Sequence, residues 1–432
     1  MIRFITAMMI SLWALGAQAQ VVINEITSPG GIKAWYINEP SVPFTARELM
    51  FIGGTAIDPA GKAGAANLMT GLLEEGAGDM DAQGFAIAQE ALAAQFKFNV
   101  YDETLTVSAR FLSENRDQAV DLLKTALTQP RFDQDAIDRV RGQVLSIIAS
   151  KETDPNAIAG RNFYQIAFGT HPYAWSQDGT NTTVQALTRD DMVATHDRLL
   201  TRNNLVVSAV GDITGGELAA LLDHLLGDLP VGDTPRVPPV TPALTGGQTV
   251  VDFPVPQSVA LFGHAGIAHD HPDYAAAYVL NVILGGRGYE SRLTAELREN
   301  RGLTYGVGTF LVNKDQADMI MGSVASANDR MAEAVGLIKD IWRDTAENGV
   351  SAAELDAAKL YITGSYALRF DGNGPIAGIL GGMQRHGYDR DYIHTRNERI
   401  NAVTLDDINR VAASLLRVDD LHFVIVGQPT GL

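Results

Sequence analysis

Two spacings of apolar residues recur along the chain. Short apolar runs, such as residues 49–52 and 205–211, are typical of β-strands. Other stretches place apolar residues on one face of a helix, for example Ala119, Leu122, Leu123, Ala126 and Leu127. Strands followed by helices of this kind predict an α+β fold, in which antiparallel-rich sheets are covered by helices.

One part of this pattern occurs twice. Thr188 begins a helix that leads to an apolar run ending at Gly211, and Thr404 begins another that leads to a run ending at Gly427. The offset is constant, because 404 − 188 and 427 − 211 both equal 216. In each copy an Asp follows the Thr by three residues, which is a variant of the capping box. The repeat predicts two homologous domains.

A proline-rich stretch separates the two copies. Residues 229–247 contain several prolines and glycines and no apolar periodicity, which is typical of a linker. We therefore predict a first domain at residues 20–228 and a second at residues 248–432.

The first residues have the pattern of a secretory signal peptide. An apolar run from Phe4 to Leu15 precedes the small-residue cleavage signal Ala17-Gln-Ala19, so residues 1–19 are predicted to be removed. A membrane anchor is the alternative, but the run is shorter than the roughly 20 residues that a spanning helix needs. The expected location is the periplasm or the outside of the cell.

Composition narrows the range of functions. The chain has 51 acidic and 33 basic residues and a net charge of −18, which argues against nucleic acid as a partner. It contains no cysteine, so disulfides and thiol chemistry are excluded. No later stretch is long and apolar enough to predict a membrane span.

The stretch from residue 48 to residue 75 carries a family resemblance. A strand is followed by the loop Asp58-Pro-Ala-Gly-Lys62 and by a predicted helix over residues 63–75. This opening resembles the pitrilysin/insulinase family of metallopeptidases, the inverzincins, and the resemblance covers nearly all of the chain after residue 19. It implies subunits of two related domains, each a sheet covered by helices on one side, that form half of a clam-shell.

The zinc motif of that family is degenerate in this sequence. Family members carry His-x-x-Glu-His on this helix, with two zinc ligands and a Glu that activates water. The corresponding residues here are Asn67, Thr70 and Gly71, and the family's third ligand corresponds to Ile147. None of the four is a usual zinc ligand, so the chain is expected to bind no metal. The sequence leaves open whether Asn67 or Glu74 has another role.

A second family feature is retained in the second half. Residues 291–302 predict a helix with a glycine stop, and residues 303–312 predict a strand. The resemblance implies that Arg298 and Tyr305 hold substrate and stabilise the oxyanion at a zinc site. Without the resemblance, an Arg at a helix end and a Tyr on a strand are more often structural. Arg301 is the alternative to Arg298.

Other candidate residues give weaker evidence for a functional site. His264, His269, Asp270 and His271 are close in sequence and suggest a metal site, but they lack the i, i+4 spacing of ligands on one helix. The segment around His171 is expected to form a turn.

The resemblance implies a function shared between two chains. This chain would be the zinc-less subunit of a periplasmic zinc metallopeptidase and would not be catalytic alone. Its partner would be a homologous subunit that carries His-x-x-Glu-His and zinc, and peptide substrates would bind inside as an added β-strand. The alternatives are a structural or chaperone-like pseudoenzyme, and a self-sufficient hydrolase with unrelated chemistry.

Overall fold

The structure is a computed structural model that describes residues 22–41, 43–286, 288 and 290–432. The predicted signal peptide lies outside the described residues. The strands are β1 (Asn24–Thr27), β2 (Lys33–Asn38), β3 (Phe44–Ile52), β4 (Gly76–Ala77), β5 (Met80–Asp81), β6 (Gln95–Val100), β7 (Thr104–Leu112), β8 (Leu205–Gly211), β9 (Gly247–Asp252), β10 (Gln257–Ala265), β11 (Val307–Lys314), β12 (Ala317–Ala327) and β13 (His422–Gly427).

The helices complete both domains. They are α1 (Ala65–Gly71), α2 (Ala82–Ala91), α3 (Arg116–Thr128), α4 (Gln134–Lys151), α5 (Pro155–Phe168), α6 (Asn181–Ala186), α7 (Arg189–Leu199), α8 (Gly215–Leu226), α9 (Tyr274–Gly285), α10 (Met331–Asn348), α11 (Ala352–Gly364), α12 (Asn373–Arg385), α13 (Tyr392–Ala402) and α14 (Leu405–Leu415). A π-helix spans Thr294–Asn300.

The two large sheets have the same topology, apart from the additional edge strand β1 in the first. The first has the strand order β1-β2-β8-β3-β7-β6 and the second, written in the same sense, β9-β13-β10-β12-β11. In the first sheet β2 and β8 are parallel, and in the second β9 and β13 are parallel, whereas the other pairs are antiparallel. The prediction of an α+β chain with two homologous, antiparallel-rich domains is confirmed.

The repeated segments occupy equivalent places in the two sheets. The Thr188 and Thr404 hydroxyls cap α7 and α14, and Asp191 and Asp407 complete the capping boxes. The glycines that end β8 and β13 have φ angles of 141° and 149°. A Cβ atom at Gly211 would lie 2.2 Å from a backbone carbonyl oxygen, so glycine is required by close approach as well as by conformation.

Each sheet is covered on its second face by a helix of the other domain. Helix α5 of the first domain packs on β10 and β13, and α12 of the second domain packs on β3 and β8. Two hydrogen bonds fix α12, because Ser208 Oγ donates to Ala377 O (2.7 Å) and Gln384 Nε2 donates to Val207 O (2.9 Å). The expectation of helices on one side therefore holds only for each domain's own helices.

The segment between α8 and β9 has no helix or strand at residues 231–245 and lies against both domains. Asn204 Nδ2 of the first domain donates to Thr234 Oγ1 (2.6 Å), and the backbone N–H of Val240 donates to Gln316 O of the second domain (3.1 Å). In a search of the described residues, no helix is both long and apolar enough to cross a membrane.

Candidate functional site

The helix at the degenerate zinc motif is shorter than the sequence predicts. Helix α1 ends at Gly71 rather than at residue 75. The N–H groups of Leu72 and Leu73 donate to Met69 O and Thr70 O, three residues earlier, instead of making the four-residue hydrogen bonds of an α-helix. Gly76 then begins the small β4–β5 hairpin with a φ of 116°. The motif positions therefore occupy the last two turns of α1.

The residues at the motif positions have structural roles in and around α1. Thr70 is buried, and its hydroxyl donates to Ala66 O (2.7 Å), one turn earlier in α1. Asn67 is half-buried. A Cβ atom on Gly71 would lie 3.1 Å from Val140 Cγ1, so a histidine there would press against the neighbouring helix α4.

Ile147, at the position of the third ligand, lies on α4 and is 46% exposed. The four positions together offer one amide, one hydroxyl and no imidazole or carboxylate, so they do not fit a zinc ion. Glu74 is nearby in sequence, and burial together with the charge of Glu75 raises the pKa of its carboxyl group.

The loop before α1 keeps a structural role. Asp58 is fully buried at its side chain, and its carboxylate accepts hydrogen bonds from the N–H groups of Gly64 (2.9 Å) and Ala66 (3.1 Å) at the start of α1. Burial raises the pKa of Asp58 to about 7, although these donors and Arg198, 3.8 Å away, favour the charged form. The motif's scaffold is thus present without its ligands.

Arg298 lies on the π-helix, where the backbone is wider than an α-helix. Leu297 is fully buried and anchors this segment, and the N–H of Leu303 donates to Leu297 O (2.7 Å) at its end. Arg298 is exposed and has no side-chain hydrogen bond or ion pair to any described residue. π-Helical turns are frequent at functional sites. The sequence predicted a helix here but not its widened form.

Tyr305 lies in a bend before β11, not on the strand that was predicted from residue 303. The Thr304 hydroxyl accepts from the N–H of Gly306 (3.0 Å) and donates to Gly306 O (2.8 Å), which holds the bend. The Tyr305 side chain is 92% exposed, and no described residue contacts its hydroxyl by a hydrogen bond. The side chain therefore projects into solvent at the apex of a fixed turn.

Arg298 and the Tyr305 bend lie beside one cavity of about 550 Å³. Arg298 and Gly306 line it, together with Gly286 and Gly308, and all of its described lining residues belong to the second domain. The alternative residue Arg301 is engaged elsewhere. Its Nε donates to Glu296 Oε1 (2.9 Å), and its Nη1 lies 3.6 Å from Glu333 Oε1.

The histidine cluster of the second domain does not form a metal site. His264 is buried, donates from Nδ1 to Ala265 O (2.8 Å) and accepts from Trp342 Nε1 (3.2 Å) at Nε2. Burial lowers the pKa of His264 to about 4. His269 contacts His386 edge to face, with ring centroids 4.8 Å apart. No group of three or more His, Asp or Glu side chains suited to a metal occurs among the described residues.

His171 lies at a turn, as the sequence predicted. Its Nδ1 accepts from the N–H of Tyr173 (3.2 Å), at the start of the short 3₁₀-helix Pro172–Ala174. The other ring nitrogen donates to Pro238 O (2.9 Å). This histidine therefore fastens the segment between the domains.

Comparison with known proteins finds two matching family models. The model described as "Insulinase (Peptidase family M16)" matches residues 33–180, and "Peptidase M16 inactive domain" matches residues 186–361.

Similar proteins match over nearly the whole chain. A "non-peptidase homolog YmxG" of Helicobacter pylori is 27% identical over 430 residues, which are 99% of this chain and 98% of that protein. An "uncharacterized zinc protease" of Mycobacterium leprae is 28% identical and covers 90% of this chain and 88% of its own length. The crystal structure of a peptidase M16 inactive domain from Pseudomonas fluorescens superposes with a TM-score of 0.89 at 27% identity, covering 95% of this chain and 98% of that one.

Proposed function

Because the chain belongs to the insulinase (M16) peptidase family and is of its zinc-less type, we propose that it works as one subunit of a two-chain zinc peptidase. The partner is a homologous subunit with His-x-x-Glu-His, which holds the zinc. This chain contributes Arg298 and Tyr305. The observation that supports this role is that both side chains are exposed and unpartnered among the described residues, although the segments that carry them are firmly anchored.

The chemistry assigned to these residues is electrostatic. Hydrolysis of a peptide bond develops negative charge on the carbonyl oxygen, and fixed donors at that position stabilise the transition state. The Tyr305 hydroxyl is one such donor, and the Arg298 guanidinium holds the substrate. Zinc in the partner would polarise the attacking water.

Strand β11 gives a place for the peptide. It is the edge strand of the second sheet, so one row of its backbone N–H and C=O groups faces away from β12. Gly306, just before β11, and residues 307–308 at its start line the same cavity as Arg298. An extended peptide added at this edge would be held by main-chain hydrogen bonds, with its carbonyl groups near the Tyr305 bend.

The proposed location is the periplasm or the outside of the cell, and it rests on the signal-like pattern of residues 1–19. N-terminal sequencing of the exported protein tests it, and a mature chain that begins at Gln20 is expected. A chain that retains Met1 in the cytoplasm would contradict it.

The decisive experiment is reconstitution with a zinc-bearing homologue from the same genome. The complex should cleave peptides and lose activity with a chelator, whereas the purified chain alone should bind no zinc and cleave nothing. Tyr305→Phe should leave assembly intact and reduce turnover by about 10²–10³-fold, the usual cost of one oxyanion donor. Tyr101→Phe is the matched control, because Tyr101 is also exposed (52%) but lies in the first domain.

Two results would contradict the proposal. Stoichiometric zinc in the isolated chain would show that it has a metal site of its own. Unchanged turnover of Tyr305→Phe in the complex would leave the chain with a structural or chaperone-like role instead.

A further inference from the structure

A groove lined by aromatic and aliphatic residues and two arginines lies next to the Arg298 cavity in the second domain. It consists of two adjoining cavities of about 530 and 580 Å³, which share Tyr366, Arg369 and Arg396 as lining residues. We call it the Arg396 groove. Its walls come from α9, β11, α11, α12 and α13.

The groove differs in charge from the rest of the chain. The protein has 51 acidic residues and a net charge of −18, yet none of the described residues that line the groove is Asp or Glu. Among the described residues, its charged lining residues are Arg369 and Arg396, and His386 lines only the second of the two cavities. A local cationic surface in an acidic protein attracts anionic groups.

Arg396 is the central residue of this groove. It is 8% exposed, and its guanidinium carbon stacks 4.2 Å from the ring centroid of Tyr366. Its Nη1 donates to Asn397 Oδ1 (3.1 Å), but no described carboxylate pairs with it. Burying a charge without a counter-charge is costly, and Arg396 lines both cavities of the groove. Arg369 is exposed and has no described side-chain partner.

The groove and the Arg298 cavity form one continuous surface. Gly286 lines both, and β11 runs past both, since residues 306–308 line the Arg298 cavity and Thr309 and Phe310 line the groove. From Gly306 to Phe310 an extended chain advances about 13 Å, or four residues at about 3.3 Å each. A peptide laid along β11 would reach both places.

We propose that the Arg396 groove binds a carboxylate of an extended peptide, either an Asp or Glu side chain or a free C-terminus. Arginine is suited to this group because its planar fork can donate two parallel hydrogen bonds to a carboxylate. The aromatic walls would pack against the methylene groups beside it. The inference rests on the proposed function only for its location, which puts the bound carboxylate about four residues from the cleaved bond.

The test measures peptide binding to the purified full chain without zinc or partner. Three fluorescein-labelled decapeptides of otherwise identical sequence are compared by fluorescence anisotropy. One has a central Glu and an amidated C-terminus, one a central Gln and a free C-terminus, and one a central Gln and an amidated C-terminus. The first or the second should bind at least about tenfold more tightly than the third, and the difference should shrink at high salt. The two carboxylate peptides also distinguish the two sources.

Variants assign the binding to the groove. Arg396→Gln should weaken the preferred carboxylate peptide by about 10–100-fold, the range for hydrogen bonds to charged groups. Arg396 is buried, so Arg369→Gln is the second variant. The Arg369 side chain is exposed, so folding of the variant should be unaffected, and a loss of affinity of about 2–5-fold is expected. Arg343→Gln is the matched control, since Arg343 is a helical arginine of the same domain that lines no part of the groove.

The outcomes separate this inference from the proposed function. The binding assay contains neither zinc nor the partner, so a failure of proteolysis in the reconstituted complex would leave its result unchanged. Equal affinity for all three peptides, no binding of any of them, or undiminished carboxylate preference in both Arg396→Gln and Arg369→Gln would overturn it. Equal weakening by Arg343→Gln would show a non-specific charge effect and would also overturn it.

Discussion

Arg47, in the middle of β3, is a buried arginine without a counter-charge. It is 1% exposed, and its Nε, Nη1 and Nη2 atoms have no hydrogen-bond partner among the described residues. The guanidinium stacks on Phe111, with 4.6 Å from its carbon to the ring centroid. Burial, and then the charge of Arg116, lowers the pKa of Arg47 from 12.5 to about 9.

The size of this pKa shift allows an estimate of how much replacing Arg47 by methionine changes the free energy of unfolding. Each factor of ten in the proton affinity corresponds to about 1.4 kcal/mol, so holding the charge in the folded state costs about 5 kcal/mol. The cation–π interaction with the Phe111 ring offsets up to about 2 kcal/mol of this cost. Methionine keeps the packing of the side-chain stem, so Arg47→Met should raise the free energy of unfolding by about 1–4 kcal/mol.

Urea denaturation followed by circular dichroism measures this difference at pH 7 and pH 10. Above pH 9 the folded state releases the proton of Arg47 before the unfolded state does, so the wild type gains stability and the advantage of Arg47→Met shrinks by about 1 kcal/mol. The control is Arg110→Met, because Arg110 stacks on Phe44 (4.4 Å) but is exposed. A destabilised Arg47→Met with an unaffected Arg110→Met would refute the reasoning.

Two further predictions concern other buried charges. Because burial raises the pKa of Asp58 to about 7, the folded state binds a proton that the unfolded state releases near pH 4, so the stability of wild type relative to Asp58→Asn should fall as pH rises from 4 to 7. Urea curves across that range check it, and a flat difference would contradict it. Arg385 Nη2 donates across the domains to Glu103 Oε2 and within its own domain to Asp315 Oδ1 (2.9 Å each). Arg385→Met should therefore cost about 3 kcal/mol, because it leaves two half-buried carboxylates without this cation. A loss below about 1 kcal/mol in thermal or urea unfolding would show that this contact is solvated.

The duplicated fold could be predicted because its signals are local. The capping threonines Thr188 and Thr404 and the strand-ending glycines act over a few residues, so a constant sequence offset was enough to reveal the repeat. The exchange of α5 and α12 could not be predicted in this way. The apolar face of a helix indicates that it packs on a sheet, but it does not indicate which of two similar sheets.

The sequence could predict those features of the candidate site that depend only on the type of residue at a given position. Asn67 and Gly71 cannot act as the histidines of the motif, whatever the fold. The bend at Tyr305 was missed because it depends on a hydroxyl hydrogen bond of Thr304, and the residues before β11 otherwise read as part of the strand. The role of Arg396 could not be predicted from the sequence, because the groove around it is formed by segments more than a hundred residues apart.

The packing of α5 and α12 on the sheet of the opposite domain also determines whether either half of the chain could fold alone. A half-chain on its own would leave one apolar face of its sheet in water, where it would be prone to aggregate or to pair with another copy. The stretch at residues 231–245 therefore acts as a tether between halves that already hold each other. Cut at that stretch, the protein would behave as a split pair, whose fragments fold only in each other's presence.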